Sequence, residues 1–329
     1  MHQTAEAKDA LAERYRRFAI TEAHGQSPLY EKLALKCAGS AKILAFLSGL
    51  PLDRQQPNLF FAAVRHVSEL PTSISDLEEA IERQAAPIEA IMRSRTTQTN
   101  EPNRCAVLLP ALARLPQPLA LLEVGASAGL CLLADRYGYD YGQHRIEAPL
   151  EMRSLAPVFP CAANRSTPLP MALPRIEWRR GLDLNPLSVA SQQDMDWLKT
   201  LVWPEQTARL QRLGAAIETA RRTPPEVIRG DLLKDLAAAI GSAPAGLTRV
   251  VFHTAVLTYV GSQPGRDAFA QAVMEMGATW ISNEAPGVFP QIAAKVSGPH
   301  RAGRFLLAID GQPVAWTGPH GQSIEWLSE

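Results

Sequence analysis

Apolar residues recur at every third or fourth position through the first third of the chain. The spacing predicts helices over 5–23, 29–38, 59–69 and 74–95. Ser75, followed by Glu78 and Glu79, gives a start signal for the last of these. Pro51, Pro57 and Pro71 fall between the helical stretches, where a residue without an N–H does least harm. A further helix is expected to begin at Pro102 and run through CAVLLPALARL. No stretch before about 117 alternates as a strand would, so the front of the chain reads as all-helical.

The period changes at Leu119. LALLEVG is a short continuous apolar run ending in glycine, followed by AGLCLLADRY, which suits a helix. IEWRRGLDL, EVIRGDL, TRVVFHTAVL, ATWISNEA and FLLAID repeat the strand pattern, with helical stretches between most of them. Such alternation predicts an α/β fold with a mostly parallel sheet covered on both faces. The last run is different: FLLAID and QPVAWTG flank Asp310-Gly311, which predicts a C-terminal antiparallel hairpin. Two domains follow, a helical cap over 1–117 and an α/β domain over 118–329. Within the second, 138–175 reads as a proline-rich insertion, because six of the 26 prolines lie between Pro149 and Pro174. A long irregular loop of this kind is uncommon unless it serves as a lid or binding loop or is a disordered segment.

Composition narrows the chemistry. The 329 residues carry 33 basic and 33 acidic side chains, 46% apolar residues and 20% charged ones. The chain has ample material for a core, and its zero net charge disfavours a nucleic-acid partner, although Arg179, Arg180, Arg221 and Arg222 could form a local patch. Cys37, Cys105, Cys131 and Cys161 are too scattered for a zinc site or a disulfide framework, so no metal is expected. No apolar run is long enough to span a bilayer, and MHQTAEAKDALAERYRRF is not a signal peptide, which leaves a cytoplasmic protein as the expectation. No oligomeric state follows from the sequence.

The strongest local signal is Leu121-Leu-Glu-Val-Gly-Ala-Ser-Ala-Gly129, a strand entering a turn of small residues. Gly125, Ser127 and Gly129 fit a G-x-S-x-G nucleophile elbow, which would make the protein a serine hydrolase with Asp231 or Glu284 and His300 or His320 completing the triad. The same turn fits a loop that lets a nucleoside ligand approach the backbone. Position favours the loop, because an elbow needs strands and an oxyanion segment upstream and this chain has helices there. With Glu123 two residues ahead of Gly125, the turn resembles that of S-adenosylmethionine (SAM) methyltransferases. That resemblance implies that Gly125, Ala126, Ser127 and Gly129 lie against the methionine portion of SAM, with Glu123 close by. In the same scheme Asp183, ending the second strand, would accept the ribose hydroxyls, and Asp231, after the third, the adenine amine. Each could equally cap the element that follows it. The fourth strand ends near His253, a candidate general base or a plain structural histidine, and the fifth at Glu284, a second candidate.

Over nearly its whole length the chain resembles a bacterial domain-of-unknown-function family, number 2332. The resemblance rests on TQTNEPNRCAVLLPAL at 97–112, EVGASAGLCLLADRYGYDYG at 123–142, RRGLDLNPLSV at 179–189, WLKTLVWPEQTARLQRL at 197–213, RGDL at 229–232 and VVFHTAVLTYV at 250–260. Its back half is similar to class I SAM-dependent methyltransferases, which implies a Rossmann-like domain and SAM as cofactor. It departs from them in Ser127, where the usual loop has glycine, and in the long segment before Asp183. The resemblance also draws attention to Thr97, Gln98, Asn100, Glu101 and Arg104, some of which are expected to face the cofactor cleft. Asp135, Arg136 and Tyr137 are expected to fix the helix after the loop and the RYGYDYG turn, and Trp197 and Trp203 to pack. The expected activity is methylation of N or O on a small molecule or peptide. A non-catalytic module binding SAM or another nucleoside is the other alternative to the hydrolase.

Overall fold

The computed structural model describes residues 2–98, 100–298 and 300–327, with side chains from Lys8 onward. The helices of the front are α1 (His2–Phe18), continued by a π-helical turn at Ala19–Ala23, α2 (Pro28–Cys37), α3 (Ala41–Ser48), α4 (Pro57–Val67), α5 (Ile74–Ser94) and α6 (Cys105–Ala113). Helix α5 starts two residues before the expected cap: the Ser73 hydroxyl accepts from Asp76 N–H, and the Asp76 carboxylate accepts from Ser73 N–H. Pro87 lies inside this helix and cannot bond to the Arg83 carbonyl, and the chain kinks at Gln84 (φ −135°). In α6, Pro110 leaves the Ala106 carbonyl without a helical donor. The Tyr141 hydroxyl donates to that carbonyl instead, at 2.7 Å.

The remaining elements are β1 (Leu119–Val124), β2 (Gly138–Asp140), β3 (Arg145–Ile146), β4 (Val158–Pro160), β5 (Ala162–Ala163), β6 (Ile176–Asp183), α7 (Gln192–Thr200), α8 (Thr207–Arg222), β7 (Val227–Arg229), α9 (Leu236–Gly241), β8 (Thr248–Thr254), α10 (Gln263–Glu275), β9 (Thr279–Glu284), α11 (Pro290–Ala293), β10 (Phe305–Ile309), β11 (Gln312–Thr317) and β12 (Ser323–Trp326). Among the described residues, nine strands form one sheet in the order β5-β12-β11-β10-β9-β8-β1-β6-β7. The five from β9 to β7 are parallel to one another, while β10, β11 and β12 pair antiparallel. The mixed α/β architecture and its large, mostly parallel sheet are therefore as expected. The Asp310-Gly311 hairpin also forms, with both residues at positive φ (47° and 73°), the geometry that a two-residue turn of this kind requires. It does not end the sheet, because β12 and then β5 add beyond it.

Two expectations fail locally. AGLCLLADRY does not form an α-helix. Gly129 sits at φ 72°, a single 3₁₀ turn covers Leu130–Leu133, and the chain then passes into β2. Tyr137, Tyr139 and Tyr141 alternate at the strand period, and all three are buried. Their hydroxyls donate to the carbonyls of Leu130, Ala134 and Ala106, and so hold the chain extended. Nor is the proline-rich insertion unstructured: β2, β3 and β4 form a second, three-stranded sheet, and β5 joins the edge of the large one.

By internal contacts the chain divides into two units. One comprises Met1–Thr99 with Asp196–Leu210, and the other Asn100–Met195 with Gln211–Glu329. The break falls near 99 rather than 117, and α6 belongs to the sheet's unit, as befits a helix buried on all sides. The first unit has an aromatic core of Tyr15, Phe18, Tyr30, Phe60 and Phe61, to which 196–210 contributes Trp197 and Trp203. In the second unit β1 is buried along its whole length. One of its faces packs into a core that includes Leu122, Val124, Val251, Phe269 and Trp280. Among the described residues no helix is long and apolar enough to cross a membrane.

The hairpin supplies a test of the turn argument. A Cβ at Gly311 would meet nothing closer than Trp280, at 3.9 Å, so Gly311→Ala isolates the backbone term. The variant should lose about 1–2 kcal/mol in urea denaturation, and an unchanged midpoint would refute the left-handed turn.

Candidate functional site

The carboxyl ends of the parallel strands gather most of the polar residues singled out above. Strand alternation sorts them into two sets. Glu123 pairs with Gly181 on one side and Phe252 on the other. Asp183 and Thr254, each two residues further along their strands, therefore share its face. His253 lies one residue from Phe252, so it faces the opposite way, together with its partner Ser282 and with Glu284. The two acids expected in one cleft, Glu123 and Glu284, are thus on opposite faces of the sheet.

On the first face Glu123 is buried, and among the described residues its Oε2 has no hydrogen-bond partner. Burial, followed by the neighbouring Cys131 and Asp183 side chains, pushes its carboxyl well above the usual carboxylate range, and Arg104 pulls in the other direction. The carboxyl therefore keeps its proton to higher pH than an exposed glutamate does. Four amides of the loop after β1 are bonded to protein. Gly125 N–H donates to Leu182 O (2.8 Å), Ser127 N–H to Asp183 Oδ2 (2.7 Å), Gly129 N–H to Ala126 O (2.7 Å) and Leu130 N–H to Asn100 Oδ1 (3.2 Å). Asn100 also donates to Ala126 O at 3.2 Å, so it clamps both ends of the turn. Ser127 itself sits at φ 53°, and its buried hydroxyl has no partner. The two loop glycines face protein: a Cβ at Gly125 would fall 2.4 Å from Val256 Cγ2, and one at Gly129 2.8 Å from Pro225 Cγ.

The other residues of this face serve as struts. Asp183 accepts from Asn185 N–H (2.7 Å) as well as from Ser127. Arg104 donates to Pro319 O (2.8 Å) and Thr254 O (3.0 Å), tying the segment before α6 to the end of β8. Glu101 caps its own turn by accepting from Asn103 N–H, and Thr97 bonds to Gln56 within the helical unit. Asp231 is half-buried and accepts from Leu233 N–H at 2.7 Å, which is a local turn contact. Asp135 forms a bidentate pair with Arg179 at 2.7 and 2.9 Å, as suits its expected role in fixing the chain after the loop.

On the opposite face His253 is wholly buried, and both of its ring nitrogens are engaged. The Trp280 indole N–H can only donate, so Nε2 of His253 is the acceptor (2.9 Å), and Nδ1 carries the proton given to Glu284 Oε1 (2.7 Å). The same Oε1 accepts from the N–H groups of Val256 (2.8 Å) and Leu257 (3.0 Å). Glu284 also borders a small hollow with Ser282, Ala285, Phe289 and Leu306.

Sequence reasoning named Glu284 and passed over its neighbour Asn283, which lies on the Glu123 face as the register partner of Thr254. Asn283 is fully buried. Its Oδ1 accepts from the Thr317 hydroxyl, while its Nδ2 has no partner. The available signal was parity, since adjacent polar residues in a strand cannot share a face. Val256, which walls the loop at Gly125, carried no sequence signal at all.

A family model described as an uncharacterized protein conserved in bacteria (DUF2332) matches residues 12–326. No curated protein and no solved structure matches the chain.

The raised Glu123 pKa sets the sign of a pH effect. The folded state holds this proton above the unfolded value of about 4.3, so its contribution to stability is present below that pH and is lost as pH rises through the folded pKa. Glu123→Gln should therefore gain stability relative to wild type as pH is raised from 4 to 8. Urea denaturation at several pH values checks this, and a difference independent of pH would show Glu123 to be ionised.

Proposed function

The chain belongs to this bacterial family, and on that footing we propose that it is a SAM-dependent methyltransferase-like protein that methylates an N or O of a small molecule or peptide. One observation carries the reading: among the described residues a buried carboxyl oxygen and a buried hydroxyl, Glu123 Oε2 and Ser127 Oγ, have no hydrogen-bond partner at the end of β1. Buried polar groups are nearly always bonded, so two exceptions in one loop point to a ligand. Numbered in chain order, the five parallel strands run 3-2-1-4-5, the order of doubly wound sheets. Ligands of such sheets lie beyond the carboxyl ends at the switch point, which here falls between β1 and β8.

The loop also speaks against a phosphate. Cradling a phosphate requires free N–H groups at a helix N-terminus. Here the N–H groups of Gly125, Ser127, Gly129 and Leu130 are bonded to protein, and no α-helix follows. A nucleoside with a cationic amino-acid tail fits better. Glu123 would meet the ammonium group, Ser127 would supply a further hydrogen bond, and Asp183 stands at the strand end suited to the ribose. Asn100 and Arg104 would act through the backbone they hold, and Asp231 is committed to its own turn. When bound, SAM supplies an electrophilic methyl group on a sulfonium. The protein's part is to hold and orient the reactants and to exclude water, and effective concentration accounts for the rate. Proton removal by His253 has no support in this arrangement, because both ring nitrogens are engaged on the other face of the sheet.

The left-handed φ of Ser127 favours the hydrolase reading to one degree, since a nucleophile elbow is similarly strained. A nucleophile needs a base bonded to it, however, and among the described residues the Ser127 hydroxyl has no partner.

Titration calorimetry with SAM and S-adenosylhomocysteine tests the proposal. Binding of the cationic tail should displace the Glu123 proton, so affinity should rise with pH. The heat should also depend on the buffer's ionisation enthalpy, and that dependence should vanish in Glu123→Gln. Asp183→Ala should weaken binding by about tenfold or more, the value of a hydrogen bond to a charged group. No binding of either compound at millimolar concentration would sink the reading.

A further inference from the structure

Glu284 and His253 are unused by the proposed chemistry, yet they are among the most completely bonded polar side chains of the sheet. Glu284 Oε1 accepts three hydrogen bonds, from His253 Nδ1, Val256 N–H and Leu257 N–H. Two of them reach into the segment after β8, where Ala255 adopts φ 57°, a conformation alanine rarely takes. Ala255 N–H donates to Asn283 O at 3.1 Å, so β9 holds this segment at a third point. The side chain that follows, Val256, stands directly against Gly125: a Cβ there would lie within 2.4–3.1 Å of three Val256 atoms. His253 is in turn fixed by the Trp280 indole and packed against Phe269 and Phe289. An unbroken series of contacts therefore runs from Trp280 through His253 and Glu284 to the 255–257 backbone, and through Val256 to the ligand loop on the far side of β1.

We propose that Glu284, oriented by His253, is a positioning residue that holds Val256 as the rear wall of the 125–129 loop and so sets the loop's conformation from the opposite face of the sheet. The strain at Ala255 accords with this, since a disfavoured backbone persists only where its surroundings over-determine it. The effect on the loop follows from the contacts alone; its consequence for affinity rests on the nucleoside reading above. Glu284→Gln preserves an acceptor at Oε1, whereas Glu284→Ala leaves the Val256 and Leu257 N–H groups without one. Val256→Ala removes the wall and leaves every hydrogen bond of Glu284 in place.

Amide hydrogen exchange on the ligand-free full chain separates these roles. The amides of Gly125, Ser127, Gly129 and Leu130 are bonded and so report loop opening. In Glu284→Ala they should exchange at least tenfold faster, along with Val256 and Leu257, while α8 stays at the wild-type rate. Glu284→Gln should retain most of the protection. Val256→Ala should speed the loop amides and leave Val256 and Leu257 nearly unchanged, and it decides the matter even if Glu284→Ala fails to fold. Loop amides at wild-type rates in Val256→Ala, or in a folded Glu284→Ala, would overturn the proposal. Calorimetry with S-adenosylhomocysteine on the same variants should show affinity falling at least fivefold wherever the loop exchanges faster. If the wild type does not bind, the nucleoside reading fails, and the exchange rates still decide whether Glu284 positions the loop.

Discussion

A carboxyl buried on the middle one of the five parallel strands is the constraint from which the rest of the second unit follows. Ionised and unpaired, Glu123 would destabilise the fold by several kcal/mol, so it keeps its proton. The Arg104 charge offsets this only in part, and the hydrogen bonds of the polar groups nearby are spent elsewhere. Asn100 clamps the turn, Asp183 takes the Ser127 N–H, and Arg104 binds the end of β8 to a distant loop. Each of these bonds fixes backbone around the carboxyl and leaves its Oε2 without a partner. Charges and amides are arranged to freeze a loop, and the loop in turn frames an acid held in its neutral form.

Strand parity is the second organising fact. The β1–β8–β9 register places Asp183, Thr254 and Asn283 with Glu123, and His253, Ser282 and Glu284 behind them. Behind the sheet His253 has both ring nitrogens bonded and Glu284 Oε1 accepts three hydrogen bonds, while in front, among the described residues, Glu123 Oε2 and Asn283 Nδ2 have no partner. Such a division suits a rigid support behind a site whose remaining bonds come from outside the chain. The segment after β8 joins the two sets, because its backbone answers to Glu284 while its Val256 side chain touches Gly125.

Much of this was legible in the sequence, for identifiable reasons. The helical front follows from periodicity, the parallel strands from apolar runs ending in glycine or a polar residue, and the hairpin from Asp310-Gly311 alone. The failures came where tertiary contacts override local preference. The residues after Gly129 have helical composition, yet three tyrosine hydroxyls find carbonyl partners only if the chain extends. Strands of two to four residues such as β5 and β12 are too short to show a period. The acids Glu123, Asp183 and Asp231 were visible as a series at successive strand ends, but their surroundings differ. Glu123 is buried with an unbonded oxygen, Asp183 supports the loop, and Asp231 closes a turn beside the sheet's edge strand. Composition and spacing cannot make that distinction, because it depends on which neighbour supplies the N–H.

Ser127 shows how a departure from local rules bears on function. A residue with a side chain at φ 53° is strained, and glycine would relieve the strain at once. The bond from its N–H to Asp183 would survive that replacement, since any residue has the N–H; only the hydroxyl would be lost. Among the described residues that hydroxyl has no hydrogen-bond partner, and it is buried, so neither packing nor solubility accounts for it. A sequence with a strained serine and a buried glutamic acid whose Oε2 has no partner among the described residues, four residues apart, carries two disfavoured features at the end of one strand. Such features persist at functional sites, where what they bind offsets what they cost in the free protein. Both stand at the carboxyl end of β1, the middle one of five parallel strands, and that shared placement is what supports the proposal that they serve one ligand.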